Sequence, residues 1–320
     1  MMNHYRWSGT EVRHAIAALA IAGTAALAAG GCASHTSTAA PPSDSSAQQA
    51  GPKAAWPSAV PTTGLTKGMV LPLEAYMVSY PDEVSITQAV NRLEATCMAG
   101  YGFTYVPLPP GSNPPPSPDD ANMSRRYGIA DPAQARAYGY HLPSGNNTPP
   151  APRQLSAAER TVLTGESSPG AEGTAQATSY HGTPLPPEGC TGYASRAVGA
   201  RFNTSLVDQL DVDSLNTAQN EPRVKTALGL WSACMKTKGY SVDIPFHAPQ
   251  LTSAGINPTA DSEEIAVATA DVTCKQQTDL VATWFAADKV VQQQEIAQHR
   301  SVLMQIQREI DTAVKNSATS

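Results

Sequence analysis

Apolar residues recur at helical spacing in two stretches of the chain: Ile86, Val90, Leu93 and Cys97 in the first, and Val224, Leu228, Trp231 and Met235 in the second. Pro81 and Pro222 stand near the starts, where proline suits a first helical turn. Both stretches run into the same ending. Residues 97–103 read CMAGYGF and residues 234–240 read CMKTKGY, so Cys-Met is followed at fixed distance by Gly and an aromatic residue. A Gly after the last apolar turn meets the demand of a left-handed helix cap, and the aromatic beyond it can fold back onto the helix. Leu93 aligns with Leu230 and Val90 with Ala227, and an extended segment follows each copy (104–107 and 241–245). The pattern predicts a two-fold internal repeat with a structural role, and Met98 and Met235 as core residues.

Tyr193, Ala197, Val198 and Phe202 predict a further helix over 192–207. Beyond Asn257-Pro258 no Pro or Gly occurs up to Ser320, which predicts a long C-terminal helical region over 259–316. Asp261 or Ser262 can cap it, Glu263 and Glu264 suit its first turn, and Arg308 and Lys315 suit its end. A single helix over 262–316 would be about 80 Å long, so it must fold into a hairpin or project from the body. Its stripe of Val281, Trp284, Phe285 and Val291 gives way to Ile296, Leu303 and Ile310, spaced by seven, with His299 and Ile306 between them. Ile296, Leu303, Ile306 and Ile310 are therefore either a core-facing stripe or a partner-binding one.

The N-terminus follows another logic. Arg6, Arg13 and His14 precede a small-residue apolar run from Ala15 to Ala29 that ends in Gly30-Gly31-Cys32. Fifteen residues are too few to span a bilayer, and a positive start before a short apolar centre reads as a secretory signal peptide over 1–31. Residues 32–64 are rich in Ser, Thr, Ala, Pro and Gln and read as a disordered tether of roughly 30 Å reach. Residues 65–320 then form a single helical domain. It is interrupted by a Pro-rich loop over 107–187 that carries two short helices, one opened by Asp131-Pro132 and closed by Gly139, the other opened by the Ser156/Glu159 capping box and closed by Gly165.

Five cysteines are an odd set, but with Cys32 set aside Cys97, Cys190, Cys234 and Cys274 remain. Outside the cytoplasm such a set implies disulfides. The simplest connectivity joins Cys97 to Cys190 and Cys234 to Cys274, one staple per half, although counting alone allows three pairings. No CxxC pair or adjacent His supports a zinc or redox site. The formal charge of -6 and a charged fraction of 15% provide no footprint for nucleic acid.

Catalytic signatures are missing: there is no GxSxG, HExxH, Walker or dinucleotide motif. No cofactor or metal is implied. Glu295 and His299, at i and i+4, read as a solvated ion pair. Tyr138-Gly139-Tyr140-His141 and Ser179-Tyr180-His181-Gly182 read as aromatic anchors that pin the long loop.

The Gly-Gly-Cys32 junction resembles the lipobox of bacterial lipoproteins, with Ala29 where Leu is usual. Together with the CMxxxG-aromatic segments and the long C-terminal helix, it gives the chain the look of the uncharacterised exported lipoproteins of high-GC Gram-positive bacteria. That resemblance implies diacylglyceryl attachment at Cys32 and residence on the outer face of the cytoplasmic membrane, or secretion without the lipid. It supplies no activity. The expected role is a membrane-tethered binding or structural module for an envelope protein or the cell wall. One alternative is an envelope hydrolase with a site in the 107–190 loop, for which Asp119, Asp120 and Glu188 are acid or base candidates. Another is an envelope stress or ligand sensor.

Overall fold

The computed structural model describes residues 60–111, 123–142, 153–167 and 175–320, which are mainly α-helical. The elements are α1 (Tyr80–Gly100), α2 (Pro132–Tyr138), α3 (Ala157–Thr164), α4 (Gly189–Val198), α5 (Ser205–Gln219), α6 (Pro222–Thr237), α7 (Ser262–Gln277) and α8 (Leu280–Ser317). Short 3-10 turns lie at Pro72–Tyr76, Met123–Arg125 and Pro245–Leu251, and a two-residue hairpin pairs β1 (Ser179–Tyr180) with β2 (Thr183–Pro184).

Local chemistry sets most of these ends. Asp131 accepts from the amides of Ala133 and Gln134 at the start of α2, and Ser156 and Glu159 form a reciprocal capping box on α3 that ends at left-handed Gly165. At the ends of α1 and α6 the carbonyls of Met98 and Met235 each accept the amide of the aromatic five residues on, Phe103 and Tyr240, across left-handed Gly102 and Gly239. The cap predicted for both copies is thus present. The likeness is local, because the partners differ: Cys97 bonds Cys190 at the beginning of α4, whereas Cys234 bonds Cys274 near the end of α7.

The C-terminal region is a hairpin rather than one rod. It breaks at Thr278–Asp279, with Asp279 in the left-handed region at φ 52°, a conformation that Asp tolerates better than most side chains. The turn sends Leu280, Val281 and Trp284 into the largest core cluster, beside Trp231, Met235 and Tyr127, so burial overrides a sequence free of helix breakers. Helix α8 has 38 residues and runs about 57 Å. Along its length it packs on α5, the 72–76 turn, α1, α6, α4 and α7, which makes it the spine of the domain.

Two boundaries depart from the sequence reading. The single helix predicted over 192–207 is two helices, because Gly199 caps α4 in the left-handed region and Phe202 lies in the link to α5. Pro61 and Thr66 are buried and the Leu65 amide donates to Ala130 O, so the domain starts a few residues before 65. The remaining tether and the signal peptide lie outside the described residues.

Candidate functional site

The most built corner of the surface is where α3 meets α4. The backbone of Gly189 rests on the end of α3: a Cβ there would lie 2.5 Å from Val162 O and from the Gly165 amide nitrogen. One turn on, a Cβ at Gly192 would lie 2.4 Å from Pro187 O, so neither position admits a side chain. Between them Cys190, fully buried, is bonded to Cys97 of α1. Glu188 leads into this corner at φ 58°, a left-handed conformation that costs a non-Gly residue about 1–2 kcal/mol.

Glu188 carries its carboxylate to two guanidinium groups. Its Oε2 accepts from Arg196 Nη1 at 3.0 Å and from Arg201 Nη2, while Arg196 Nη2 donates to Pro187 O at 2.8 Å. The three side chains remain roughly half exposed, at 51%, 40% and 45% for Glu188, Arg196 and Arg201. They border a cleft of about 460 Å³ whose other walls include Gln176, Thr178, Leu185 and Pro187. Arg201 also borders a second cleft of about 380 Å³, with Phe202, Gln305, Arg308, Glu309 and Thr312. Arg201, with Arg196 beside it, holds the Glu188 carboxyl below the usual carboxylate range. Glu188 is therefore ionised at neutral pH, the wrong state for a general acid.

Inside the domain, charged groups are tied to one another. Arg126 donates to Asp288 Oδ2 through Nε at 2.6 Å and to both oxygens of Asp211 through Nη1 at 2.8 and 2.7 Å. Its Nη2 reaches Asp211 O and Ser214 Oγ, Tyr127 Oη donates to Asp288, and Gln292 bridges Asp211 and Ser214 to the Leu73 amide. One buried guanidinium thereby joins α5, α8 and the segment after the 123–125 turn, and Gln292 extends the network to the 72–76 turn. Burial works against its charge, but Asp288 and Asp211 outweigh that and hold it protonated. A second pair, Lys275 and Asp271, is fully buried; Nζ also donates to Ile129 O, and Trp231 and Tyr140 donate to Asp271. Glu94, buried beside the Cys97–Cys190 bond, accepts from Thr191 Oγ1 at 2.8 Å.

Two groups couple the fold to pH with the same sign. His141 bonds Asn257 O through Nε2 and Glu264 through Nδ1; the first contact, then the second, raise it above its ordinary value of 6.5. Its charge stabilises the fold below that value, and the contribution is lost as pH rises through the elevated one. Glu295, on α8, has a buried Oε2 with no hydrogen-bond partner. Burial, then Asp213, Asp288 and Asp211, push its carboxyl up to about 7 from 4.5. The folded protein thus holds a proton that the unfolded chain releases, so stability falls between pH 4.5 and 7. In Glu295→Gln the melting temperature should lie above that of the parent at pH 8, and the difference should shrink steadily toward pH 4.5. Parallel melting curves across that window would refute the assignment.

Cys32, Asp119 and Asp120 lie outside the described residues. Leu303, Ile306 and Ile310 are buried, and Ile296 packs against the same cluster with Leu73, Val207 and Leu210. Of the two readings of that stripe, the core-facing one describes its place in the fold: the seven-residue spacing faces α5 and the 72–76 turn. No ion pair joins Glu295 to His299 among the described residues. The Tyr-His segments do act as anchors, with Tyr140 against the main core and Tyr180 against Phe103. Met98 and Met235 are fully buried. Sequence reasoning missed Arg126, Asp211, Asp288, Arg196 and Arg201; only Glu188 of the cleft was a candidate. Among the described residues no group of three or more His, Cys, Asp or Glu is arranged to hold a metal ion.

Comparison with protein-family models, with curated proteins and with solved structures finds no match.

Proposed function

We propose that this chain is a lipid-anchored binding module of the cell envelope. The leader over 1–31 exports it, a diacylglyceryl group on Cys32 holds it to the outer face of the cytoplasmic membrane, and the tether presents the helical domain to an envelope component. The observation that carries the reading is the cysteine pairing. Cys97–Cys190 and Cys234–Cys274 use all four cysteines of the domain, which suits an oxidising compartment, and only the cysteine after Gly30-Gly31 is left over. Among the described residues no helix is long and apolar enough to cross a membrane, so attachment there calls for another means.

A binding role, rather than hydrolysis, is supported by the chemistry of the Glu188 cleft. Its carboxylate is held ionised by two arginines, and Asp211, Asp271 and Asp288 are each paired with a cation inside the fold. Intact-mass measurement of the protein from the membrane fraction tests the anchor. The mature chain should begin at Cys32 and carry the diacylglyceryl mass, and Cys32→Ala should move it to the soluble fraction. An unmodified N-terminus beyond Cys32 would overturn the reading.

A further inference from the structure

We infer that Arg196 and Arg201 form a receptor for an oxyanion, a carboxylate or phosphate borne by the ligand, and that Glu188 fills it as an internal occupant. This rests on the binding role proposed above and assigns its site.

Paired guanidinium groups match the geometry of carboxylate and phosphate oxygens, and each offers more donors than one Glu188 oxygen uses. Both converge on the single atom Oε2, so the second oxygen of an incoming group can take up donors that Glu188 leaves idle. The receptor is half exposed, so a ligand reaches it without any unfolding. The platform beneath it is rigid, fixed by the Gly189 and Gly192 contacts and by the Cys97–Cys190 bond. The occupant sits on a residue in the left-handed region at φ 58°, a sparsely populated conformation of the kind that clusters at functional sites. Arg308 lies across the adjoining cleft, which sets three arginines against Glu188 and Glu309 on a chain of formal charge -6. Leu185, Pro187 and Phe202 supply apolar walls for the part of the ligand that bears the acid.

Titration of the full chain with inorganic phosphate, and separately with acetate, at constant ionic strength and followed by the arginine side-chain NMR signals, tests this. Glu188→Gln removes the competing charge and should tighten binding about three- to fivefold, the size of one exposed ion pair. Arg201→Gln should abolish it while leaving the melting temperature unchanged. Binding of phosphate alone would mark a phosphate-bearing ligand, and binding of acetate alone a carboxylate-bearing one. If Glu188→Gln binds neither anion more tightly than the parent, or Arg201→Gln binds as the parent does, the receptor is overturned. The mass of Cys32 reads the anchor independently, so failure of the receptor and failure of the tethered-module reading are separate results.

Discussion

Replacing Arg126 by Met should lower the melting temperature by about 6–20 °C, the effect of about 3–5 kcal/mol in a domain of this size. The cost comes from what the arginine leaves behind. Asp288 is fully buried and the Asp211 side chain is 19% exposed, and both face the guanidinium. Without it two carboxylates confront each other, with Tyr127 donating to Asp288 and Gln292 to Asp211. Met fills most of the space, so a loss of this size measures stranded charge rather than a cavity. Two controls separate those causes. Lowering the pH protonates the carboxylates and should recover part of the loss, whereas a packing defect would be indifferent to pH. Changing Asp211 and Asp288 to Leu in the Arg126→Met background should also restore stability, because a buried ion network exchanged whole for apolar residues is often neutral or better. A variant that melts within 2 °C of the parent would show that the network contributes little; the scale here is about 2–4 °C per kcal/mol.

The same network explains where the sequence could be read and where it could not. Helices whose signals are local were legible: the Asp131 and Ser156 caps, the Gly102 and Gly239 endings, and the apolar spacing of α1 and α6. Helix α5 was not, because its buried positions include Ser214, whose neighbour Asp211 is polar for the sake of Arg126, 85 residues away. An inward-facing row that alternates Val207 and Leu210 with Asp211 and Ser214 blurs the apolar stripe on which periodicity depends. The turn at Asp279 was equally silent, since its cause is the burial of Leu280 and Trp284 against residues of α6 and not any local breaker. For the candidate site the limit is geometric. Glu188 drew notice as an acidic residue of the long loop, but its meaning depends on Arg196 and Arg201, which become its partners only once Gly199 ends α4 and swings Arg201 back. The heptad spacing of Ile296, Leu303 and Ile310 left two readings open, because a stripe cannot say whether it faces its own chain or another; here it faces its own.

The Cys97–Cys190 bond is expected to matter more than the Cys234–Cys274 bond, though both are native staples. The first closes 93 residues and the second 40, which in the chain-entropy model correspond to about 4.6 and about 3.9 kcal/mol. That small gap is widened by the surroundings. Helices α6 and α7 are also joined by Trp231, whose indole donates to Asp271 at 3.0 Å, and both lie in the largest core cluster. The α3–α4 corner rests on a smaller cluster, Met98, Val162, Leu163, Leu185 and Cys190, and on the Glu94–Thr191 hydrogen bond next to the disulfide. Cys97→Ala with Cys190→Ala should therefore cost about 4–5 kcal/mol and about 8–20 °C in melting temperature. It should also expose 153–167 and 175–187 to protease before the rest of the domain unfolds. In the Cys234→Ala, Cys274→Ala variant, cleavage should instead track global melting, since α6 and α7 remain packed on the main core. Equal protection of 153–167 and 175–187 in the two variants would mean that the glycine contacts alone hold the corner, and that the platform under Arg196 and Arg201 does not depend on its disulfide.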